Sequence, residues 1–159
     1  MSEEFRGMRR FRQQVSKEAC EKILDEQLRG VLAVQGENGY PYALPIDYLY
    51  KDGRIYFHGA KEGHKMDAIK ACDKVSFCVW DDGFIKEGGW ELNITSVIAF
   101  GRIRIVTDME TKKEVCIGIG MKFNRDISIW EEEWEQSAKR VEVLEIEIEH
   151  MTGKLVNEK

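Results

Sequence analysis

The chain of 159 residues has few of the features that would direct it to a membrane or to a nucleic acid. No apolar run is long enough to span a bilayer, and the N-terminus has no hydrophobic region of the signal-peptide type. With 24 basic and 29 acidic residues the net charge is −5, so no overall attraction draws the chain to a phosphate backbone. We therefore expect a soluble, cytoplasmic protein that binds neither nucleic acid nor membrane.

Cysteine and histidine are too few, and too widely spaced, to suggest a metal centre. The four cysteines form no Cys-x-x-Cys pair, and the three histidines complete no metal-ligand spacing with them. We expect neither a zinc site nor a disulfide framework, and we interpret all four cysteines as small buried residues. These four are Cys20, Cys72, Cys78 and Cys116.

Proline is scarce as well, and both prolines fall within one predicted strand, Tyr40–Tyr50. Proline within a sheet is confined to edges and bulges, so we predict that the hydrogen-bonding side of this strand is open near Pro45. Alternating apolar residues and tight Asn-Gly and Asp-Gly turns predict five further strands, the longest of them bent or bulged at Gly101. These five are Val31–Val34, Ile55–His58, Val75–Trp80, Asn93–Val106 and Leu144–Ile148.

Short strand spacing and tight turns predict a small antiparallel barrel with helices around it, which makes the fold class α+β. Ser16 is the predicted N-cap of the first helix, and the Thr111–Glu114 capping box is predicted to start a later one. A further acidic helix is predicted around 129–138, whereas 83–91 is predicted to be a glycine-bearing loop. Residues 1–15 form a basic N-terminal arm, for which packing on a neighbour and a frayed end are alternatives.

The stretch Arg54–Cys72 has the composition of a cradle for an anion. A strand ends in a basic loop that contains glycine, and a helix is predicted to begin after Gly63. Lys61, His64 and Lys65 supply positive charge, and the free N–H groups of the helix start face the loop. Lys65 opposes the helix dipole there, and a bound anion would remove this conflict. From these residues alone, a phosphate-bearing cofactor and an ordinary connection with solvated lysines remain alternatives.

Six motifs follow one another along the chain, and their order is more specific than any one of them. They are Gly30–Ala33, Pro41–Tyr48, Ile55–Ala60, Gly63–Lys65, Thr95–Arg102 and Met151–Lys154. In this order the chain resembles the pyridoxamine 5'-phosphate oxidase-like flavin-binding split barrels, particularly the nitroimidazole-resistance type of flavoprotein. The resemblance implies a six-stranded antiparallel split β-barrel with flanking helices, in which residues 16–159 form a single FMN-binding domain after the arm.

The resemblance also implies a homodimer with one FMN in each groove between the subunits. The open strand edge at Pro45 would lie along the isoalloxazine ring, and Lys65 would neutralise the phosphate. Thr95 and Ser96 would supply hydroxyl contacts, and Trp130 would be an aromatic contact from the partner subunit. The implied cofactor-binding residues are Leu44, Pro45, Ile46, Asp47, Tyr48, Phe57, His58, Gly59, Ala60, Lys61, Gly63, His64, Lys65, Thr95, Ser96 and Trp130.

The activity that this resemblance implies is FMN-dependent oxidoreduction of a small organic substrate. NADH or NADPH would be the electron donor, and a nitro compound is one candidate acceptor. No catalytic residue stands out: His58 and Asp47 are candidates, although a positioning role for His58 and a solvated position for Asp47 are alternatives. A flavin-binding carrier or sensor without turnover, and a haem-binding split barrel, are the alternative functions.

Overall fold

The computed structural model describes residues 4–157, so residues 1–3 of the predicted arm and 158–159 of the predicted domain lie outside the described residues. The α-helices are α1 (Lys17–Glu26), α2 (His64–Ala71), α3 (Met109–Met121) and α4 (Ile127–Ser137). The strands are β1 (Arg29–Gln35), β2 (Pro41–Asp47), β3 (Leu49–Lys51), β4 (Arg54–Ala60), β5 (Lys74–Trp80), β6 (Phe84–Ile85), β7 (Leu92–Ile105) and β8 (Val141–Val156). Short 3-10 helices lie at Phe11–Gln13 and Glu37–Gly39.

The strands form one antiparallel sheet that curls on itself. Seven follow the order β2-β1-β5-β7-β8-β4-β3, and β6 pairs with β7. The two end strands of this order, β2 and β3, are consecutive in the chain, with Tyr48 alone between them. Because neighbouring Cα atoms are about 3.8 Å apart, the first and last strands must meet, and the sheet closes into a barrel. The predicted α+β split barrel is confirmed.

The number of strands is eight within residues 4–157, and the predicted number of six is wrong for two local reasons. The predicted strand Tyr40–Tyr50 is broken at Tyr48, whose fully buried side chain donates a hydrogen bond to the Leu24 carbonyl at 2.6 Å. The chain thereby passes from β2 at one edge of the sheet to β3 at the other. Within 83–91, predicted to be a loop, the two-residue strand β6 pairs with the start of β7.

Two predicted helix starts have different outcomes. Ser16 caps α1 as predicted, since its Oγ accepts a hydrogen bond from the Ala19 N–H at 3.2 Å. The predicted capping box at Thr111–Glu114 is wrong, because α3 begins at Met109. Its N-cap is Asp108, whose carboxylate accepts hydrogen bonds from the Thr111 N–H at 2.9 Å and from the Thr111 hydroxyl at 2.6 Å. None of the helices in residues 4–157 combines the length and apolar character needed to cross a bilayer.

The core fills the inside of the barrel. Phe77 packs edge-to-face against Tyr48 and Phe57, with ring centroids 4.8 and 5.4 Å apart. Helix α1 covers one end of the barrel with buried side chains that include Leu24, while α3 covers a smaller cluster that includes Ile119. Of the four free cysteines only Cys20 is buried, so the interpretation of the other three as buried residues is wrong.

The described part of the predicted arm, residues 4–15, packs on the barrel of its own chain. The Phe5 ring stacks on His150 and Phe100, with centroids 4.7 and 5.8 Å away. The N–H of Val15 donates to the carbonyl of Gly153 at 2.9 Å, so the end of the arm adds to the edge of β8. These contacts cover one part of the outer face of the sheet.

Gly153 permits close packing between α1 and β8. A Cβ at this position would lie 2.4 Å from Cys20 Sγ and 2.7 Å from a methyl carbon of Val15. We expect Gly153→Ala to lower the free energy of unfolding by about 1–3 kcal/mol, as other overpacking substitutions do. Urea unfolding followed by circular dichroism measures this change. Gly7→Ala is the control, because no atom lies within 4 Å of its Cβ position, and equal stability of the two variants would contradict the expectation.

Candidate functional site

The barrel is split between β2 and β4. β2 pairs with β1 along all of its length, whereas β3 covers β4 only as far as Tyr56. Within residues 4–157, no strand pairs with the outer edge of β2 or with residues 57–60 on the β3 side of β4. Backbone N–H and C=O groups on these two edges therefore lack strand partners. The open edge predicted near Pro45 is confirmed.

A groove of about 270 Å³ lies at this split, between the ends of β2 and β4. Its lining residues are Arg29, Pro45, Ile46, Asp47 and His58. The Asp47 carboxylate accepts a hydrogen bond from Arg29 Nε at 2.7 Å, so this charge is already paired. Desolvation lowers the pKa of His58, and the charge of Lys65 lowers it further, while Asp47 acts in the opposite direction. The lowered pKa favours the neutral imidazole.

Lys65 extends from the first turn of α2 back over β4. Its Nζ would be only 2.7 Å from a Cβ at Gly59, so this approach requires glycine there. The side chain is half-buried, and no carboxylate within residues 4–157 lies at ion-pair distance from its ammonium group. Burial lowers the pKa of Lys65 because nothing nearby compensates for the lost hydration. A partly desolvated cation without a counter-ion is a site for an anion.

The start of α2 adds backbone donors beside Lys65. Gly63 is the N-cap with a φ of 124°, a conformation that favours glycine, and no side chain caps the helix. The first N–H groups of the helix therefore remain available to a ligand. The His64 ring instead stacks on Tyr42 of β2, with centroids 4.1 Å apart, and Lys61 is exposed in the loop. Of the three predicted basic residues, Lys65 is the one whose ammonium group lies over β4, beside the groove residue His58.

Three predicted cofactor residues have side chains in the core. Ile46, Tyr48 and Phe57 are buried, so only their backbone can face the groove. The Tyr48 carbonyl already accepts a hydrogen bond from Lys122 Nζ at 2.9 Å, and this ammonium also lies 3.8 Å from the centre of the Tyr48 ring. Burial lowers the pKa of Lys122 to about 8. Among the remaining positions, Pro45, His58 and Ala60 are exposed and Leu44, Asp47 and Gly59 are half-buried.

Thr95 and Ser96 do not belong to the groove of their own chain. They lie on β7, three strands from β2 in the order of the sheet. Lys65 lies over Gly59, which pairs with Glu142 at the start of β8, whereas Thr95 pairs with Leu155 near its other end, a separation of roughly 40 Å along that strand. Ser96 lines a different cavity of about 220 Å³ on the outer face, together with Arg6 and Lys154. A single chain therefore does not bring the two hydroxyls to Lys65.

A second cavity, which the sequence patterns did not predict, lies under the hairpin of α3 and α4. Its volume is about 390 Å³, and it also reaches Asp47 and His58. The Trp130 indole packs flat against Gly120 and donates from Nε1 to the Asn124 carbonyl at 2.7 Å. Trp130 thus lies in a cavity of its own chain, next to the groove. The i,i+4 spacing of Trp130 and Trp134, which both line this cavity, is the sequence signal that could have indicated it.

A curled antiparallel sheet, split at an edge strand that carries proline, defines a split-barrel protein. A family model described as pyridoxamine 5'-phosphate oxidase matches residues 16–155, and the chain belongs to this family. The family that the order of motifs predicted is therefore confirmed. A search of curated proteins found no match.

Solved structures share this fold. A proposed 5-nitroimidazole antibiotic resistance protein from Bacteroides thetaiotaomicron superposes with a TM-score of 0.78, at 18% identity over 91% of this chain and 87% of that chain. A FAD-binding protein from Mesorhizobium loti gives 0.64, at 25% identity over 90% and 96%. A FAD- and haem-binding protein from Mycobacterium smegmatis gives 0.67, at 18% identity over 92% and 74%.

Proposed function

We propose that the protein is an FMN-dependent oxidoreductase that acts on a small organic substrate as a homodimer. The observation that carries the proposal is the half-buried Lys65 ammonium, which lies over Gly59 at the open edge of the barrel and has no carboxylate partner among residues 4–157. A phosphate dianion requires such a charged donor together with backbone donors, and the uncapped start of α2 supplies the latter. One cation and one helix start suit the single phosphate group of FMN.

In this proposal FMN lies along the split of the barrel. The backbone of residues 44–47 would contact the polar edge of the isoalloxazine ring, residues 58–60 would follow the ribityl chain, and Lys65 with Gly63 would hold the phosphate. When bound, the flavin supplies two-electron transfer between a nicotinamide nucleotide and an acceptor. The FAD-binding proteins of the same fold support the choice of a flavin.

Neutral His58 has a positioning role in this proposal. Its lowered pKa favours the neutral imidazole, which offers one donor and one acceptor and adds no charge to the ring site. Asp47 is held by Arg29 and fixes the end of β2 against β1. Neither residue is a free acid or base, and the chain's contribution is therefore to bind and to orient.

The homodimer is supported by an apolar patch on the outer face of the sheet. Ile98 and Phe100 are 40% and 41% exposed on β7, and Cys78 lies directly opposite Ile98 on β5. A contiguous exposed apolar patch is typical of a protein interface. In a dimer through this face, Thr95 and Ser96 would approach the groove of the partner, which is where the predicted hydroxyl contacts are needed.

Steady-state turnover tests the proposed activity. FMN-loaded protein should oxidise NADH or NADPH only when an acceptor is present, and a panel of nitroaromatic compounds is the first set to try. Flavin binding without any turnover would support the alternative of a carrier or sensor, which the absence of a free acid–base pair in the groove favours. Haem binding, the other alternative, would give haem bands in the absorption spectrum of the loaded protein.

A further inference from the structure

We infer that the cavity under the α3–α4 hairpin is the substrate pocket, and that it takes a flat aromatic or heteroaromatic molecule that is neutral or positively charged. The inference rests on the proposed function, since it places the substrate next to the proposed flavin groove. The pocket has three relevant properties: its position, its walls and its charge.

The position follows from two shared residues. Asp47 and His58 line both the groove at the split and the cavity under α3 and α4. A molecule in the second cavity would therefore lie beside a molecule in the first, with these two residues at the boundary. Transfer between two bound molecules requires this kind of adjacency.

The walls of the cavity are aromatic and fixed. Phe123, Trp130 and Trp134 line it, and the cavity volume of about 390 Å³ lies within the range of small-molecule sites. Trp130 is held by its hydrogen bond to the Asn124 carbonyl and by its contact with Gly120, and Trp134 is buried. Rigid aromatic walls favour a planar ring, which can stack on them or meet their edges.

The charge of the cavity disfavours anions. Its lining contains two carboxylates, of Asp47 and Glu133, and no lysine or arginine. Asp47 is paired with Arg29, whereas no cation within residues 4–157 lies at ion-pair distance from the Glu133 carboxylate. The Ser137 hydroxyl donates to the Glu133 backbone carbonyl, not to the carboxylate. Glu133 is therefore the residue that sets the preference for a cationic or neutral ring.

Three nitrobenzyl-type probes of similar shape test this inference by calorimetry on FMN-saturated protein without an electron donor. We expect 4-nitrobenzylammonium to bind more tightly than 4-nitrobenzyl alcohol, and 4-nitrobenzoate to bind most weakly. Glu133→Gln should lower the ratio of cation affinity to anion affinity about threefold to tenfold and leave the neutral probe unchanged. Glu131→Gln, an exposed acid on the same helix outside the cavity lining, is the matched control.

Trp130 gives an independent arm of the test. Trp130→Ala should weaken all three probes about tenfold, and Trp130→Phe should restore most of the loss because it keeps a planar wall. Equal affinities for the three probes, or affinities that Trp130→Ala leaves unchanged, would overturn the inference. A probe that displaces FMN would also overturn it, because the cavity would then be the site of the flavin.

The same titrations without FMN separate this inference from the proposed cofactor. If FMN fails to bind while the charge preference and the dependence on Trp130 persist, the cofactor is wrong and the aromatic pocket stands. If FMN binds and the probe affinities do not depend on Glu133 or Trp130, the proposed pocket is wrong and the cofactor stands.

Discussion

Lys65→Ala is expected to weaken FMN binding about 30- to 150-fold, which corresponds to roughly 2–3 kcal/mol, the value of a hydrogen bond between charged groups. The Nζ atom lies over Gly59, where no Cβ interferes, and no carboxylate within residues 4–157 neutralises it. The substitution removes the proposed charge partner of the phosphate and leaves the barrel intact. Riboflavin lacks the phosphate, so its affinity should be the same for both proteins. Flavin fluorescence titrations measure the two affinities.

Lys61→Ala is the matched control, because Lys61 is an exposed lysine in the loop that precedes α2. It should change FMN affinity less than threefold. The pH dependence gives a second check: the cationic form of Lys65 binds the phosphate, so affinity is lost as pH rises through its pKa. Burial lowers that pKa, and the loss should begin below the ordinary lysine value of about 10.4. Unchanged FMN affinity in Lys65→Ala would refute the phosphate assignment.

Ile98→Glu is expected to convert the proposed dimer into a monomer and to lower FMN affinity at least tenfold. Ile98 is 40% exposed in the single chain, so the barrel itself tolerates a charge there, whereas a dimer through this face would bury that charge without a partner. Flavin affinity should fall when the dimer is lost, because the groove would no longer contain the residues of the second copy. Sedimentation velocity gives the mass, and flavin titration gives the affinity.

Ile105→Glu is the control for this substitution. Ile105 is 37% exposed and lies at the far end of the same strand, so the two variants share the cost of placing glutamate in β7. It should keep the mass and the FMN affinity of the wild type. A wild-type chain that is already monomeric at working concentration while it binds FMN tightly would contradict the shared groove.

Local signals in the sequence predicted the features that depend on near neighbours. Proline in β2 predicted an open edge, Ser16 predicted a helix start, and Gly101 predicted the irregularity that the register shift after Phe100 confirms. Each of these depends on the local properties of one residue type. The glycine-bearing basic loop likewise indicated Lys65, although the contact of Lys65 with Gly59 could be seen only in three dimensions.

Most of the features that the sequence did not predict depend on contacts between residues far apart in the chain. Tyr48 breaks a predicted strand because its hydroxyl reaches the Leu24 carbonyl, a partner that the strand pattern does not contain. The ring of His64 stacks on Tyr42, a contact that the composition of the loop also does not reveal. The capping box at Thr111 is an exception, because a near neighbour is responsible: Asp108, three residues earlier, is the better N-cap. The α3–α4 cavity was missed because α-helical spacing does not tell which neighbour an aromatic face meets.

The most direct test of the account is the absorption spectrum of the purified protein after incubation with FMN and removal of unbound flavin. The account predicts flavin bands at a stoichiometry of one FMN per chain, with riboflavin retained far less well because it lacks the group that Lys65 would hold. A protein that emerges colourless from the same treatment, or that carries haem bands instead, would contradict it.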